Sequence, residues 1–363
     1  MLRTMETAHP SFQPGRREAL RRIGLAGLGT LCAAGVGSLW VRAAQQGAFS
    51  AREGRSGFSA IDHQLGWTKG VQFGGDFMAQ EQGFFDREKL NVYYAAGGPG
   101  TDYRTLVSSG RSLVSESNPQ GMIEAALQGQ PLVAFAAIYQ RDPGCIISPA
   151  ARPIRSLRDM VGRTIGLPNS IRGQIGVLMR RAGLDADKVR FVPVGSDASM
   201  LVGGQVDGYF NWATTAVPSL TIAGFPTHVL HMCDIGAPSY GAVLIARRDR
   251  LEKEFELFVR YTRALIGGWG WMVAHPRETA RIVVEKYADP GRSLAEQTLQ
   301  AETIVPYVTA GDARTQGLLW LDPAIFEANL RIARDAGQVP ADRRIDIEHM
   351  VTQDVVKAAH AVG

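Results

Sequence analysis

From residue 61 onward, short runs rich in β-branched and aromatic residues alternate with stretches of helical period, and this alternation constrains the fold more than any single residue. It predicts strands over 61–67, 90–95, 112–115 and 131–139, with helices through 77–83, from about 99, and over 118–127. A second series follows, with strands over 164–168, 189–194, 206–210 and 227–232 and helices over 171–182, 198–203 and 212–223. A last apolar strand, 242–246, leads into a largely helical third. There Leu257, Tyr261, Leu265, Gly268 and Met272 recur at three- and four-residue spacing, as on the packed face of an amphipathic helix. The expectation is a parallel sheet in each of two α/β lobes.

The two series are joined by short segments containing Pro and Gly, 139–145 and 234–240. Two crossings between two lobes describe a hinged clamshell. The expected division puts 60–148 and 238–363, with their helical extension, in lobe 1 and 149–237 in lobe 2.

Ahead of the folded part, 45–59 reads as a linker and 1–44 as a twin-arginine-type signal peptide. The leader has Arg16-Arg17 with Leu20 and Arg21 beside it, then a Gly- and Ala-rich apolar run over 23–41. It carries six Arg against two acids, so the remaining chain holds 39 − 6 = 33 basic and 35 − 2 = 33 acidic residues, formally neutral. A neutral body lacks the clustered Lys and Arg that nucleic-acid binding requires, and the expectation is no nucleic-acid partner. An uncleaved anchor is the alternative to cleavage. Beyond the leader, Cys145 and Cys233 are left either as one disulfide or as two free thiols.

No phosphate-loop, His-Glu-x-x-His, Gly-x-Ser-x-Gly or Gly-x-Gly-x-x-Gly motif occurs, and no Cys-x-x-Cys. None of the seven His stands at metal-ligand spacing with an acid or Cys cluster, so neither a metal nor a catalytic residue is expected.

In open parallel sheets, ligands bind outside the carboxyl ends of the strands, which makes those loops the default site. Trp67 ends the first strand and Phe73 precedes the first helix; Gly97 and Gly98 follow the second strand, Asn118 follows the third, and Tyr139 ends the fourth. In the second lobe, Asn169 and Ser170 open a helix whose free amides could hold an anion, with Arg172 adding charge; capping alone is the plainer reading. Asn211 and Trp212 follow a later strand. A cleft with aromatic faces and amides suits a planar heterocycle.

The segment Gly66-Trp67-Thr68 through Phe77-Met78-Ala79-Gln80-Glu81-Gln82-Gly83-Phe84-Phe85, then Leu90-Asn91-Val92, resembles the opening of substrate-binding proteins of the thiamine-pyrimidine-precursor and nitrate/sulfonate/taurine superfamily. The segment 154–166 resembles that superfamily's entry into the second lobe, and Gly204-Gln205-Val206-Asp207-Gly208-Tyr209 its second-lobe signature. The resemblance implies a periplasmic-binding-protein-like fold of type II. It further implies a monomer without cofactor that carries a small solute in the periplasm to the permease of an ATP-binding-cassette importer. A thiamine pyrimidine precursor is the first ligand it suggests; a flavin, sulfonate, nitrate or taurine is the alternative.

One branch of the superfamily is an enzyme that makes the thiamine pyrimidine from its own His and pyridoxal phosphate. Phe73 stands where that branch has its His, Lys69-Gly70 replaces its Pro-Asn, and its cysteine cluster is missing. Lys69 alone keeps a Schiff-base reading open. A ligand-sensing domain of a regulator would share the two-lobed architecture, but the leader and the lack of a DNA-binding helix pair argue against it.

Overall fold

A computed structural model describes residues 55–195 and 197–361. The expected leader, and the linker up to residue 54, lie outside the described residues. Among the described residues, ten strands form two five-stranded sheets. They are β1 Ser59–Gln64, β2 Leu90–Ala95, β3 Val114–Ser117, β4 Leu132–Tyr139, β5 Gly144–Pro149, β6 Thr164–Gly166, β7 Arg190–Val192, β8 Gly208–Trp212, β9 Thr227–His231 and β10 Ala242–Arg247. The first sheet runs β2-β1-β3-β10-β4 and the second β7-β6-β8-β5-β9.

The longer helices are α1 Gly74–Glu81, α2 Pro119–Leu127, α3 Asn169–Arg181, α4 Ala213–Ile222, α5 Phe255–Ala274, α6 Pro276–Lys286, α7 Leu294–Val308, α8 Pro323–Asp335 and α9 Asp354–Ala361. None of the described helices is long and apolar enough to cross a membrane.

The sheets are mixed, where the alternation predicts purely parallel ones. β10 pairs antiparallel with β3 and β4, and β5 antiparallel with β8 and β9. The physical reason lies in the crossings. Strands linked by crossover helices run parallel. β5 and β10 instead arrive from the other lobe through short connections and enter in the opposite direction. The chain leaves the first sheet after Tyr139 and joins the second at Gly144, ahead of the expected boundary at 148.

The two crossings lie against each other. The Asp142 amide donates to the Ser239 carbonyl at 2.9 Å, and the Arg141 guanidinium pairs with the Asp234 carboxylate at 2.8 Å. Cys145 and Cys233 are free thiols beside this hinge.

The first lobe's core is continuous from its sheet into the helical third, as the spacing of Leu257, Tyr261, Leu265 and Met272 predicts; all are inside or packed against one cluster with Phe77, Phe135 and Trp269. α1 and α5 approach closely because their contact points are glycines. A Cβ on Gly75 would stand 2.1 Å from the Trp269 ring, and one on Gly268 2.2 Å from the Gly75 carbonyl oxygen. A smaller apolar cluster, with Ile146, Ile165, Leu178 and Met179, fills the second lobe.

Candidate functional site

Between the sheets lies a cavity of about 830 Å3, within the roughly 300–1,000 Å3 typical of small-molecule sites. Strand ends supply its walls: Trp67 and Thr68 after β1, Glu116 to Asn118 at the end of β3, Tyr139 at the end of β4, and Tyr209, Asn211 and Trp212 along β8. α4 adds Thr215 and Ser219. The segment opening α7 adds Arg292, Glu296, Gln297 and Gln300.

Six of the residues singled out from the sequence meet here: Trp67, Phe73, Asn118, Tyr139, Asn211 and Trp212. Tyr139 is buried and its hydroxyl donates to the Gln72 carbonyl at 3.0 Å. Its ring centroid lies 5.7 Å from that of Trp212, with the planes at 56°, so an aromatic from each lobe meets where the crossings join. Trp67 is 41% exposed. Asn118 has two duties, since it lines the cavity while its Oδ1 accepts the Gly121 amide at 2.8 Å and caps α2. Asn211 Oδ1 accepts the Trp212 amide at 2.7 Å.

The other five stand elsewhere. Gly97 and Gly98 follow β2 as expected but do not line the cavity; the Gly97 amide donates to the Trp67 carbonyl at 2.9 Å, and a Cβ there would meet the Leu65 carbonyl oxygen at 2.3 Å. Gly97 therefore positions Trp67 through a close backbone approach. Asn169, Ser170 and Arg172 are exposed on α3, and Asn169 and Arg172 edge a separate surface hollow of about 390 Å3. α3 buries Ile175, Leu178 and Met179 against the second sheet, which turns its first residues away from the cleft. Pro168 takes the N-cap position, so neither Asn169 nor Ser170 caps the helix.

The reading of the sequence missed the contribution of α7. The Gln297 Oε1 accepts the buried Val71 amide at 2.8 Å, the Arg292 guanidinium donates to Thr68 Oγ1 at 2.8 Å, and Ser219 donates across the cleft to Glu296 at 2.5 Å. The available signal was the polar group Glu296, Gln297 and Gln300 on a helix whose other face is apolar. Glu116, Asp197 and Glu296 line the cavity beside Arg292, so carboxylates outnumber guanidinium among the described lining residues.

Behind Glu116 lies a buried polar cluster that spacing did not reveal. His63 and Asp76 have fully buried side chains, and His63 Nε2 stands 3.4 Å from Glu116 Oε1. Burial pushes the Asp76 carboxyl well above the ordinary range, against the opposing pull of His63. These three residues come from β1, α1 and β3, far apart in the sequence, which is why no ligand-like spacing shows. Lys69, by contrast, is not among the residues lining the cavity.

The sequence model described as NMT1/THI5 like matches residues 71–279, more than half of the chain. The chain belongs to the NMT1/THI5-like family. This NMT1/THI5-like chain is 25% identical over 229 residues to the formylaminopyrimidine-binding protein of Halalkalibacterium halodurans, covering 62% of this chain and 69% of that protein. It is 20% identical over 309 residues to the riboflavin-binding protein RibY of Chloroflexus aurantiacus, covering 80% and 84%. The periplasmic aliphatic sulphonate binding protein SsuA of Escherichia coli shares its fold at a TM-score of 0.62 and 14% identity, over 81% of this chain and 92% of that one. A desulfurization enzyme, DSZB, superposes at 0.55 and 14% identity over 84% and 99%, so the fold carries catalysis as well as binding. The type II two-lobed fold expected of this NMT1/THI5-like chain is the one observed.

Proposed function

We propose that this chain is the extracytoplasmic solute-binding component of an ATP-binding-cassette importer, and that its cleft takes a small planar solute rich in N–H donors. The observation that carries the reading is the cavity of about 830 Å3 between two lobes, walled from both sides by aromatic rings and amides. Tyr139 and Trp212 offer ring faces, Asn118, Asn211 and Gln300 offer amides, and the excess of carboxylates over Arg292 favours a neutral or cationic heterocycle over an inorganic anion. An aminopyrimidine related to a thiamine precursor is the first candidate and a flavin the second; the two curated relatives' named ligands support that order.

Binding would close the lobes by favouring the shut form. The closed pair of lobes would then be read by a permease in the inner membrane, and residues 1–44 would export the chain by the twin-arginine route for work in the periplasm as a monomer. Lys69 lies outside the cleft, and no lysine is among its described lining residues. A thermal-shift screen against aminopyrimidines, flavins, sulfonates and nitrate tests the proposal, since a solute that binds the folded state raises its melting temperature. A shift with an aminopyrimidine or flavin is expected. A shift with sulfonates alone would overturn the ligand class, and turnover of any of these compounds would overturn the binding role.

A further inference from the structure

The His63, Asp76 and Glu116 cluster goes beyond the reading of the cleft and does not depend on which solute the cleft holds. One donor atom from each of the three residues lies within 4.8 Å of the others, and all three residues are buried. Side-chain exposure is 0% for His63 and Asp76 and 9% for Glu116. His63 Nε2 and Glu116 Oε1 have no hydrogen-bond partner, and the Trp269 indole N–H, itself without a close acceptor, is the donor beside the Asp76 carboxyl. A buried group left without a partner destabilises the fold, more so when charged.

A proton does not resolve this arrangement well. His63 Nε2 to Glu116 Oε1 is 3.4 Å and His63 Nδ1 to Asp76 Oδ1 is 3.8 Å, both beyond the ~3.2 Å reach of an N–H···O bond. Two ligands of one tetrahedral ion with bonds of ~2.1 Å stand roughly 3.4 Å apart, which is the His63–Glu116 spacing; the Asp76 carboxyl, within 4.8 Å, would have to draw closer on binding.

The surroundings suit a ligand set. The Tyr261 hydroxyl holds His63 Nδ1 at 2.7 Å, which fixes the ring and leaves Nε2 facing Glu116. The Gly66 amide donates to Glu116 Oε2 at 3.0 Å and steadies the other oxygen. Glu116 alone of the three lines the cavity, so it marks the way in.

We propose that His63, Asp76 and Glu116 form a binding site for one divalent transition-metal cation of the zinc type at the floor of the cleft. A mixed imidazole and carboxylate set favours zinc, cobalt or nickel over calcium or magnesium, which prefer oxygen alone. Three protein ligands leave a fourth position for water or a solute donor.

The test uses the full chain, reduced, stripped with a chelator and dialysed. Zn2+ is titrated calorimetrically and Co2+ by its visible absorption, each against the wild type and the variants His63→Gln, Asp76→Asn and Glu116→Gln, with circular dichroism reporting the fold. The expected result is one equivalent of cation bound by the wild type, weakened at least 100-fold in each folded variant, with a Co2+ spectrum of mixed nitrogen and oxygen ligation. Tyr261→Phe should weaken binding about 10-fold while the Co2+ spectrum stays. Should the Asp76 variant fail to fold, Glu116→Gln at the cavity wall gives the same reading. Failure of the wild type to bind either cation, or equal binding by Glu116→Gln and the wild type, overturns the site and leaves a buried polar cluster that holds no ion. Neither outcome bears on the solute screen, because no solute is present.

Discussion

On the first-lobe wall of the cleft, four polar groups are tied to partners far away in the sequence, Tyr139 to Gln72, Glu116 to Gly66, Gln297 to Val71 and Arg292 to Thr68, while Asn118 and Gln300 bond locally. On the second-lobe wall the side-chain bonds stay local, Asn211 with Trp212, Thr215 with the Trp212 carbonyl, and Asp197 with the Ser199 amide. Ser219, reaching Glu296, is the exception and joins the walls across the gap. The first wall is thus set before any solute arrives, which lowers the ordering cost of binding. The second wall is positioned mainly by where its lobe stands, so closure is the step that brings its groups to bear.

The largest effect should come from unsettling the packing beneath the first wall. Gly75→Val would drive a side chain into Trp269, already 2.1 Å from a bare Cβ. With no flexible neighbour to give way, the expected loss is more than about 3 kcal/mol in urea unfolding. A loss below about 1 kcal/mol would show that the α1–α5 crossing does not set this wall.

Next come the two tryptophans, one on each wall. Trp212 faces Tyr139 at the crossings, and Trp67 is partly exposed to solvent. Alanine at Trp212 should weaken calorimetric binding of the solute found by screening by about 1–3 kcal/mol, and alanine at Trp67 by less. Wild-type affinity in both variants would mean that neither ring stacks on the solute. A larger loss at Trp67 would reverse the ranking and place the solute near the mouth.

How much of this was legible beforehand follows from the same contrast. Strand ends can be read from local pattern, and the rule that ligands collect there found Trp67, Asn118, Tyr139, Asn211 and Trp212. The rule failed where orientation depended on packing at a distance. Asn169 and Arg172 follow a strand end too, but the buried face of α3 turns them outward. Gly97 was noticed for its loop, and its job is to let the backbone approach Leu65. Gln297 and Arg292 were invisible because a helix late in the chain returns to the first strand's loop, and no spacing encodes that return. His63, Asp76 and Glu116 meet only through the parallel pairing of β1 with β3 and the placement of α1. The direction of β5 and β10 was lost for a related reason: apolar alternation marks a strand but not which way it runs.

A smaller effect should separate the long-range bonds of the first wall from mere contact. Gln297→Leu keeps the bulk but leaves the buried Val71 amide without its acceptor. The expected loss is about 1–2 kcal/mol of stability, read from the urea midpoint. An unchanged midpoint would show that the Val71 amide finds another partner, and that the first wall is less fixed than its bonds suggest.

The smallest effect concerns the hinge that joins the walls. Asp142 sits in the first crossing and accepts the Gly144 amide at 2.9 Å, and burial pushes its carboxyl up to about 6 from 3.8. A folded-state value above the unfolded one means that the folded chain holds the proton more tightly. The resulting stabilisation is complete below the unfolded value and is lost as pH rises through 6. Because Asp142 as a whole residue is only half-buried, the loss should be on the order of 1 kcal/mol. Asp142→Asn keeps an acceptor for the Gly144 amide and removes the titration. Urea midpoints at pH 5 and pH 8 should therefore fall less with rising pH in the variant than in the wild type. Equal falls would place the pH sensitivity outside the hinge, and Asp142 would then serve only to shape the turn through which the second wall swings.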